Sequence, residues 1–203
     1  MFDRITPVNR ALILINVIVF ALQYLLGRVI DIQFALWPPQ IERLGGPPFH
    51  VWQLLTYGFM HAGVAHLFFN MFALFMFGSE IERLFGSRRY LIYYLVCVIG
   101  AALMHLIVLS VANLQPGPVV GASGGVFGIL LAFGMAFPMR KLVIIPIPIP
   151  LPAWLFVTLY GVFELVMGVT QTSQGVAHFA HLGGMATGFV LIRYWRAQQR
   201  RRG

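Results

Sequence analysis

Six long apolar runs, separated by short polar breaks, constrain this chain more than any other feature of its sequence. Apolar runs of this length are typical of helices that cross a membrane. Hydrophobic residues make up 59% of the chain and charged residues only 10%, a composition that excludes a soluble domain. The pattern predicts an all-α polytopic membrane protein with six transmembrane helices, which cover residues 11–27, 61–79, 90–111, 123–139, 153–169 and 176–192.

The segments outside these runs complete the expected organisation. Residues 28–60 are too broken by proline and glycine to span a membrane but too aromatic for a free loop, so we expect them to lie in the headgroup region. The first run lacks a small-residue cleavage site after it and is expected to be a retained helix. The chain is expected to form a single domain over residues 1–203, with a short cytoplasmic lead at 1–10 and a basic cytoplasmic tail at 193–203.

The placement of the basic residues predicts the orientation in the membrane. Six crossings leave both termini on one side, and of the 14 lysines and arginines only Arg28 and Arg43 then lie on the opposite side. The positive-inside rule makes the side with the termini cytoplasmic. The net charge of +8 is therefore a topology signal, so we expect a lipid bilayer and no nucleic acid as a partner. A six-helix chain without a targeting extension indicates a bacterial plasma membrane.

A glycine-dense run, Gly121-Ala122-Ser123-Gly124-Gly125-Val126-Phe127-Gly128, opens the fourth apolar run. Each glycine destabilises a helix by about 1 kcal/mol relative to alanine, and small residues at i,i+4 spacing allow membrane helices to approach closely. Considered alone, this run predicts helix packing and a serine bonded to its own helix. The residues expected to provide close packing are Gly121, Gly124, Gly125 and Gly128, together with Gly183, Gly184 and Gly188 of the sixth run.

Polar residues inside the apolar runs are candidates for function because they are costly in lipid. The second, fourth and sixth runs cross in the same direction, so their first residues share a depth near the outer side. Roughly 25 Å of helix separates Ser123 from Arg140, which places the serine just below the outer interface. The residues that converge on this depth are His61, His66, Asn70, Ser123, His178 and His181.

This convergence predicts a nucleophile with its base. If the glycines of the sixth run pack on those of the fourth, His181 comes within reach of Ser123, and histidine is the usual base for a serine hydroxyl. Glu164 is placed low in the fifth run and Asp31 in the interfacial loop, so a Ser-His dyad is expected without an orienting acid. The predicted donors to an oxyanion are His66, the Asn70 amide and the backbone N–H of Ser123 at a helix start.

Three motifs resemble those of the rhomboid family of intramembrane serine proteases: His61-x4-His66-x3-Asn70, Gly121-x-Ser123-Gly124 and Ala180-His181-x-Gly183-Gly184. The resemblance covers nearly the whole chain from Thr6-Pro7 onward. It implies Ser123 as nucleophile, His181 as base, and His66 and Asn70 in the oxyanion hole. It also implies a half-submerged first loop and a substrate gate formed by the fifth helix and the loop after it.

The resemblance further implies transmembrane protein substrates, cleaved near the outer ends of their membrane segments. Small residues are expected before the cut and helix-weakening residues beyond it. No cofactor or metal is expected. Two positions depart from the family pattern: Trp52-Gln53 stands where the family has Trp-Arg, and Phe127 stands where a tyrosine often stacks on the catalytic histidine.

Two alternatives stay open at this point. One is a catalytically silent relative that binds transmembrane helices, and the other is a metal site or transporter that uses His61, His66, His178 and His181. The acidic ligands and continuous polar pathway of a transporter are not evident. His178 is expected to be solvated, His105 to be structural and Glu164 to form a local hydrogen bond. The lone Cys97 excludes a disulfide framework.

Overall fold

The computed structural model describes residues 5–112, 116–143, 149–170 and 178–202 of the chain. The described part is mostly helical, with one small antiparallel hairpin of β1 (Lys141–Val143) and β2 (Pro150–Pro152). Its helices are α1 (Pro7–Leu26), α2 (Arg28–Phe34), α3 (Pro39–Arg43), α4 (Gln53–Thr56), α5 (Val64–Ala73), α6 (Ser79–Phe85), α7 (Ser87–Ala112), α8 (Ser123–Ala136), α9 (Ala153–Thr170) and α10 (His178–Arg202). A π-helical turn over Leu74–Gly78 joins α5 to α6.

Four helical segments are long and apolar enough to cross a bilayer: α1, the continuous helix Val64–Phe85, α7 and α9. The predicted all-helical, multi-pass membrane architecture is therefore confirmed. Helix α8 has 14 residues and measures about 21 Å, less than the roughly 30 Å of a hydrocarbon core. Helix α10 ends in a basic run. The count of six crossings accordingly stays a prediction.

Helix boundaries differ from the predicted runs for local reasons. Helix α1 begins at Pro7 and not at residue 11, because proline is favoured in the first turn of a helix. Helix α8 ends at Ala136 because Phe137 precedes Pro138 and is driven out of the helical region. Helix α10 runs on through the basic tail as far as Arg202, since arginine and glutamine are good helix formers.

The second run is displaced toward the C-terminus at both ends. It was expected over residues 61–79, but the helix covers Val64–Phe85, so His61 precedes it. The helix continues past Glu80 because the next acidic residue, Glu82, is buried in the protein. The turn expected after α9, the start of the sixth run at Val176 and two of the alternating prolines lie outside the described residues.

Glu82 anchors the N-terminal end of α1. Its carboxylate accepts hydrogen bonds from the backbone N–H groups of Val8 (3.2 Å) and Asn9 (2.8 Å), which have no partners within the helix. The side chain of Asn9 donates to the carbonyl of Leu74 in the π turn and accepts from the hydroxyl of Tyr90. This buried network ties α1, α6 and α7 together.

The three helices α7, α8 and α10 form the tightly packed centre of the protein. Their glycines allow this, because a side chain at these positions would overlap the neighbouring helix. Gly124 lies against Ala101, Gly125 against Tyr94, Gly128 against Cys97, Gly183 against Met104, Gly184 against Gly124 and Gly188 against Tyr93. Helix α8 is buried along most of its length, so the nucleophile candidate at its start is held on a rigid element.

The segment between α1 and α5 folds into short helices tied together by side chains. Gln53 is completely buried; its Oε1 accepts from the backbone N–H of Trp37 (3.2 Å) and its Nε2 faces the carbonyls of Gln33 and Pro48 at 3.4 Å each. The indole of Trp52 donates to the same carbonyl of Gln33 at 3.0 Å. The amide of Gln53 therefore organises this loop. Its predicted position in the headgroup region stays a prediction.

Candidate active site

Ser123 and His181 form the centre of the candidate site. Ser123 is the first residue of α8 and His181 lies in the first turn of α10. The serine Oγ lies 2.9 Å from the histidine Nε2. The glycine contact between α8 and α10 allows this approach, because Gly124 follows the serine and Gly184 lies three residues after the histidine. The two side chains that the sequence analysis paired are thus within hydrogen-bond distance.

Glu164 lies behind the histidine, which corrects the expectation that no acid would orient it. Its Oε2 lies 2.8 Å from Nδ1 of His181 and 2.7 Å from Nδ1 of His178. The carboxylate is only 3% exposed. The expectation was wrong about depth: α9 starts beside Arg140, whose carbonyl accepts from Ala153 N, and about 16 Å of helix then brings Glu164 toward the opposite end.

His178 is buried, whereas the sequence had led us to expect a solvated side chain. Its exposed fraction is 6%, and its ring stands perpendicular to that of His181 with centroids 6.4 Å apart. The ligand atoms of Glu164, His178 and His181 lie within 4.8 Å of one another, so these three side chains could hold a metal ion.

His61 and His66, which were the other two histidines of the predicted metal alternative, form a separate pair with ring centroids 5.1 Å apart.

The aromatic ring of Phe127 covers the face of the histidine. The two rings are nearly parallel, with centroids 4.4 Å apart and an interplanar angle of 6°. Phe127 lies one turn after Ser123 on α8 and is itself packed against Tyr160 of α9, with centroids 4.8 Å apart. The imidazole of His181 is therefore fixed by a stacked ring on one face and by Glu164 at Nδ1.

His66 and Ser123 both lie close to Gly121. A Cβ at Gly121 would lie 2.9 Å from the Nε2 of His66 and 3.4 Å from the Oγ of Ser123. The Nδ1 of His66 faces the backbone N–H of Ala62 at 3.3 Å, and as an acceptor it carries no hydrogen. The ring hydrogen then lies on Nε2, a nitrogen that lies close to Gly121. His66 is positioned to donate to a group bound beside Ser123.

Asn70 is placed one turn beyond His66 and is buried. Its Nδ2 donates one hydrogen to the carbonyl of His66 at 2.9 Å, and the second amide hydrogen is available for another acceptor. The bond to His66 keeps the side chain on the face of α5 that carries the histidine. Two of the predicted oxyanion donors, His66 and Asn70, thus lie on one face of α5, and the third, the backbone N–H of Ser123, lies at the start of α8.

Gly121 has a different role from the helix packing predicted for it. It precedes α8 and has a φ of 142°, a conformation that residues with a Cβ rarely adopt. Its N–H donates to the carbonyl of Tyr57 at 3.0 Å, and Val119 just before it exchanges two backbone hydrogen bonds with Leu36. The chain entering the serine helix is therefore held by the loop between α1 and α5.

His61 stands at the edge of this group in the turn before α5. Its side chain is 2% exposed, and its ring nitrogens have no hydrogen-bond partner among the described residues. Burial, with a smaller contribution from His66, lowers the pKa of the His61 imidazole to about 3. The ring is thus neutral at physiological pH and shapes the site as a neutral side chain.

The contacts that Glu164 and His178 make in this site were not predicted from the sequence. An acidic residue inside an apolar run is a recognisable candidate for function, but Glu164 was placed at the wrong depth. His178 was noted as a neighbour of His181, but its burial depends on how α9 packs on α10. His105 lies on α7 with a buried ring nitrogen that has no partner in the described part of the chain.

Comparisons with known proteins identify the relatives of this arrangement. The family model described as Rhomboid domain matches residues 48–198. RHOMBOID-like protein 4 of Arabidopsis thaliana is 35% identical over 146 residues, which cover 69% of this chain and 33% of that protein. The rhomboid protease GluP of Bacillus subtilis (strain 168) is 32% identical over 144 residues, covering 68% of this chain and 25% of that protein.

A third relative extends the comparison to fungi. Rhomboid protein 1, mitochondrial, of Saccharomyces cerevisiae is 32% identical over 133 residues, which cover 65% of this chain and 38% of that protein. The chain thus spans between a quarter and two fifths of the length of these three relatives. The matched segment contains the candidate residues from His61 to His181.

Proposed function

This chain belongs to the rhomboid family, and we propose that it is a serine endopeptidase that hydrolyses peptide bonds in or near the transmembrane segments of other membrane proteins. The observation that carries this proposal is the 2.9 Å contact between Ser123 Oγ and His181 Nε2. A serine hydroxyl is a weak nucleophile unless a base accepts its proton. The contact joins the first turns of two glycine-packed helices, as a preorganised nucleophile requires.

The first half of the reaction uses this pair directly. Ser123 Oγ attacks the carbonyl carbon of the scissile bond while His181 Nε2 takes up the hydroxyl proton. Negative charge develops on the carbonyl oxygen, and the proposed donors to it are His66 Nε2, the free Asn70 amide hydrogen and the backbone N–H of Ser123. When the intermediate collapses, His181 gives its proton to the leaving amine and an acyl-serine ester remains.

The second half regenerates the serine. Water attacks the ester carbonyl while His181 again accepts a proton, and collapse returns that proton to Ser123 Oγ and releases the carboxylic acid product, which ionises by giving its remaining proton to water. The donors that stabilise the first oxyanion serve the second in the same way. In each half of the reaction His181 takes up one proton and then releases it, and no cofactor is part of the proposed reaction.

The proposed setting is a bacterial plasma membrane, with both termini in the cytoplasm and the site opening to the outer side. The charge distribution supports this orientation. Arg140 pairs with Glu80 at the end of the bundle that carries α6, and Arg89 lies over the ring of Trp195 at the same end. Ser123 and His181 lie at the opposite ends of their helices, away from these basic residues.

The test uses purified wild-type protein and the variants Ser123→Ala and His181→Ala in detergent micelles. Each is treated with a fluorophosphonate probe and, separately, with a model substrate that contains one transmembrane segment. We expect labelling and cleavage by the wild type and the loss of both in the two variants. Ser110→Ala is the matched control, because Ser110 is an exposed serine on α7 whose hydroxyl donates to its own helix.

Three outcomes would contradict the proposal. Cleavage that survives Ser123→Ala excludes the serine mechanism. Activity abolished by a chelator and restored by Zn²⁺ points to the metal alternative at Glu164, His178 and His181. No labelling and no cleavage by folded wild-type protein, with retained binding of the model segment, indicates a silent relative that binds transmembrane helices.

A further inference from the structure

One carboxylate oxygen of Glu164 serves two histidines of the same helix. Oε2 lies 2.8 Å from Nδ1 of His181 and 2.7 Å from Nδ1 of His178. The carboxylate and His178 are both more than nine-tenths buried. A buried carboxylate is strongly destabilising unless hydrogen-bond donors compensate for the lost water. The two imidazole rings are such donors, which accounts for an acidic residue inside the apolar helix α9.

The contact with Glu164 determines which nitrogen of His181 carries the hydrogen. An ionised carboxylate only accepts hydrogen bonds, so Nδ1 of His181 must be the donor. In the neutral ring, Nε2 is then unprotonated and directs its lone pair toward Ser123 Oγ, 2.9 Å away. This is the tautomer that can accept the serine proton. The opposite tautomer would place a hydrogen on Nε2 and remove the base.

The carboxylate also favours the protonated ring that forms during the reaction. When His181 accepts the proton of Ser123, it becomes an imidazolium ion 2.8 Å from a negative charge. Attraction between opposite charges at this distance is strong in a site with little water. Glu164 therefore stabilises the state of His181 that accompanies the tetrahedral intermediate, without touching the substrate.

His178 holds the carboxylate in place for this task. It precedes His181 by almost one helical turn, and its ring is perpendicular to that of His181, so the two N–H groups reach one oxygen from different directions. Other titratable groups near this cluster are Tyr160, one turn before Glu164 on α9, and His66 of α5, which faces His181 across the site. His178 is the group that fixes the position of Oε2.

We propose that Glu164 is a positioning residue that orients His181 and sets its tautomer, and that His178 positions Glu164. The inference rests on the proposed protease function and deepens it, because it assigns a Ser-His-Glu arrangement to a site expected to use only serine and histidine. It makes the activity depend on two residues that lie outside the three motifs of the sequence.

The kinetic test compares Glu164→Gln, His178→Asn and His178→Leu with wild type on the model transmembrane substrate over a range of pH. Glu164→Gln keeps the shape but removes the charge. We expect its kcat to fall by about a hundredfold or more with little change in KM. The pH at which activity is lost on the acidic side should move down, since the carboxylate no longer stabilises the protonated ring.

The two His178 variants distinguish a hydrogen bond that positions Glu164 from simple packing of the His178 ring. Asparagine can place an N–H group near the position of Nδ1, so His178→Asn should keep activity within about threefold, whereas His178→Leu should lower kcat about tenfold. Glu80→Gln is the control for loss of a carboxylate, because Glu80 lies at the far end of the bundle in a partly exposed ion pair. It should leave the kinetic constants unchanged.

A second measurement does not depend on activity. Nuclear magnetic resonance of protein labelled with ¹⁵N-histidine reports which ring nitrogen carries the hydrogen, and His181→Gln identifies the signal. We expect His181 to be protonated at Nδ1 above neutral pH and to lose this preference in Glu164→Gln. Inactive wild-type protein with this tautomer would overturn the protease proposal but support the positioning role.

Two results would overturn the role of Glu164. One is a wild-type His181 protonated at Nε2 in the nuclear magnetic resonance experiment. The other is a Glu164→Gln protein that retains full activity. A Glu164→Gln protein that loses activity together with a lower melting temperature, but shows no shift on the acidic side of its pH profile, would also overturn this role and would make Glu164 a purely structural residue.

Discussion

Gly184 of α10 lies directly against the main-chain carbonyl of Gly124 in α8, and a Cβ at Gly184 would overlap that carbonyl. Gly124 is bonded to Ser123, and His181 precedes Gly184 by nearly one turn. The contact therefore sets the distance between the serine hydroxyl and the imidazole. A main chain inside a packed helix cannot move aside as a flexible side chain can.

The first prediction concerns this contact. Gly184→Ala should force α8 and α10 apart, lower the free energy of unfolding by about 1–3 kcal/mol and reduce kcat by roughly a hundredfold through misplacement of the base. Gly161→Ala on α9 is the matched control, because its nearest neighbour is the flexible end of Met185 at 3.4 Å. Equal melting temperatures and rates for the two variants would contradict the role of the glycine contact.

The second prediction concerns the carboxylate of Glu82, which accepts hydrogen bonds from the first backbone N–H groups of α1. Glu82→Ala should destabilise the protein by about 2–4 kcal/mol, because it leaves buried donors without partners. The measurement is thermal or denaturant unfolding in a defined detergent. Glu80→Ala, two positions away, removes a carboxylate whose ion pair with Arg140 is partly exposed, and should change stability by less than about 1 kcal/mol.

Similar stabilities for these two variants would show that the network around α1 contributes little to the free energy of unfolding.

The burial of Glu82 also illustrates what could not be predicted from the sequence. Glu82 follows the second apolar run and looks like an interfacial charge. Its burial depends on the docking of α1 against α6, which no local pattern specifies.

The apolar runs and the pairing of Ser123 with His181 could be predicted because they follow from local rules. Hydrophobicity identifies membrane helices, and glycine spacing identifies the faces that approach closely. Helix direction then brings early residues of the second, fourth and sixth runs to one end. These rules depend on sequence spacing alone, so they needed no knowledge of the tertiary contacts.

Other parts of the site could not be predicted because they depend on helix rotation and offset. The rotation of α9 decides whether Glu164 faces His181 or lipid, and its offset decides the depth. The left-handed conformation of Gly121 depends on the hydrogen bond from its N–H to Tyr57 in a distant loop. Likewise, the buried amide of Gln53 organises the first loop through three separate segments.

The third prediction concerns the pH dependence of stability. Burial lowers the pKa of His61 to about 3 in the folded protein, whereas an unfolded histidine has a pKa of about 6.5. Below that pH the unfolded chain binds a proton that the folded chain excludes. The contribution of His61 to stability is therefore lost as pH falls from about 6.5 toward 3, at up to about 1.4 kcal/mol per pH unit.

His61→Phe removes this titration while keeping a ring beside Phe20, whose centroid lies 6.4 Å away. Melting temperatures of wild type and variant should be compared at several pH values between 7 and 4. The variant should lose stability less steeply over this range. Parallel curves would show that His61 is protonated in the folded protein or that its surroundings admit water.

The fourth prediction concerns Phe127, whose ring stacks on His181 with centroids 4.4 Å apart. Phe127→Leu keeps an apolar side chain but removes the flat surface, so the imidazole gains freedom to tilt away from Ser123. Aromatic pairing contributes about 0.5–1.5 kcal/mol, so kcat should fall about 3- to 10-fold. Phe127→Tyr retains the stacked ring and should stay within about threefold of wild type. If Phe127→Leu leaves kcat unchanged while folding normally, Glu164 alone is enough to hold the imidazole, because its hydrogen bond to Nδ1 would then fix the ring without help from stacking.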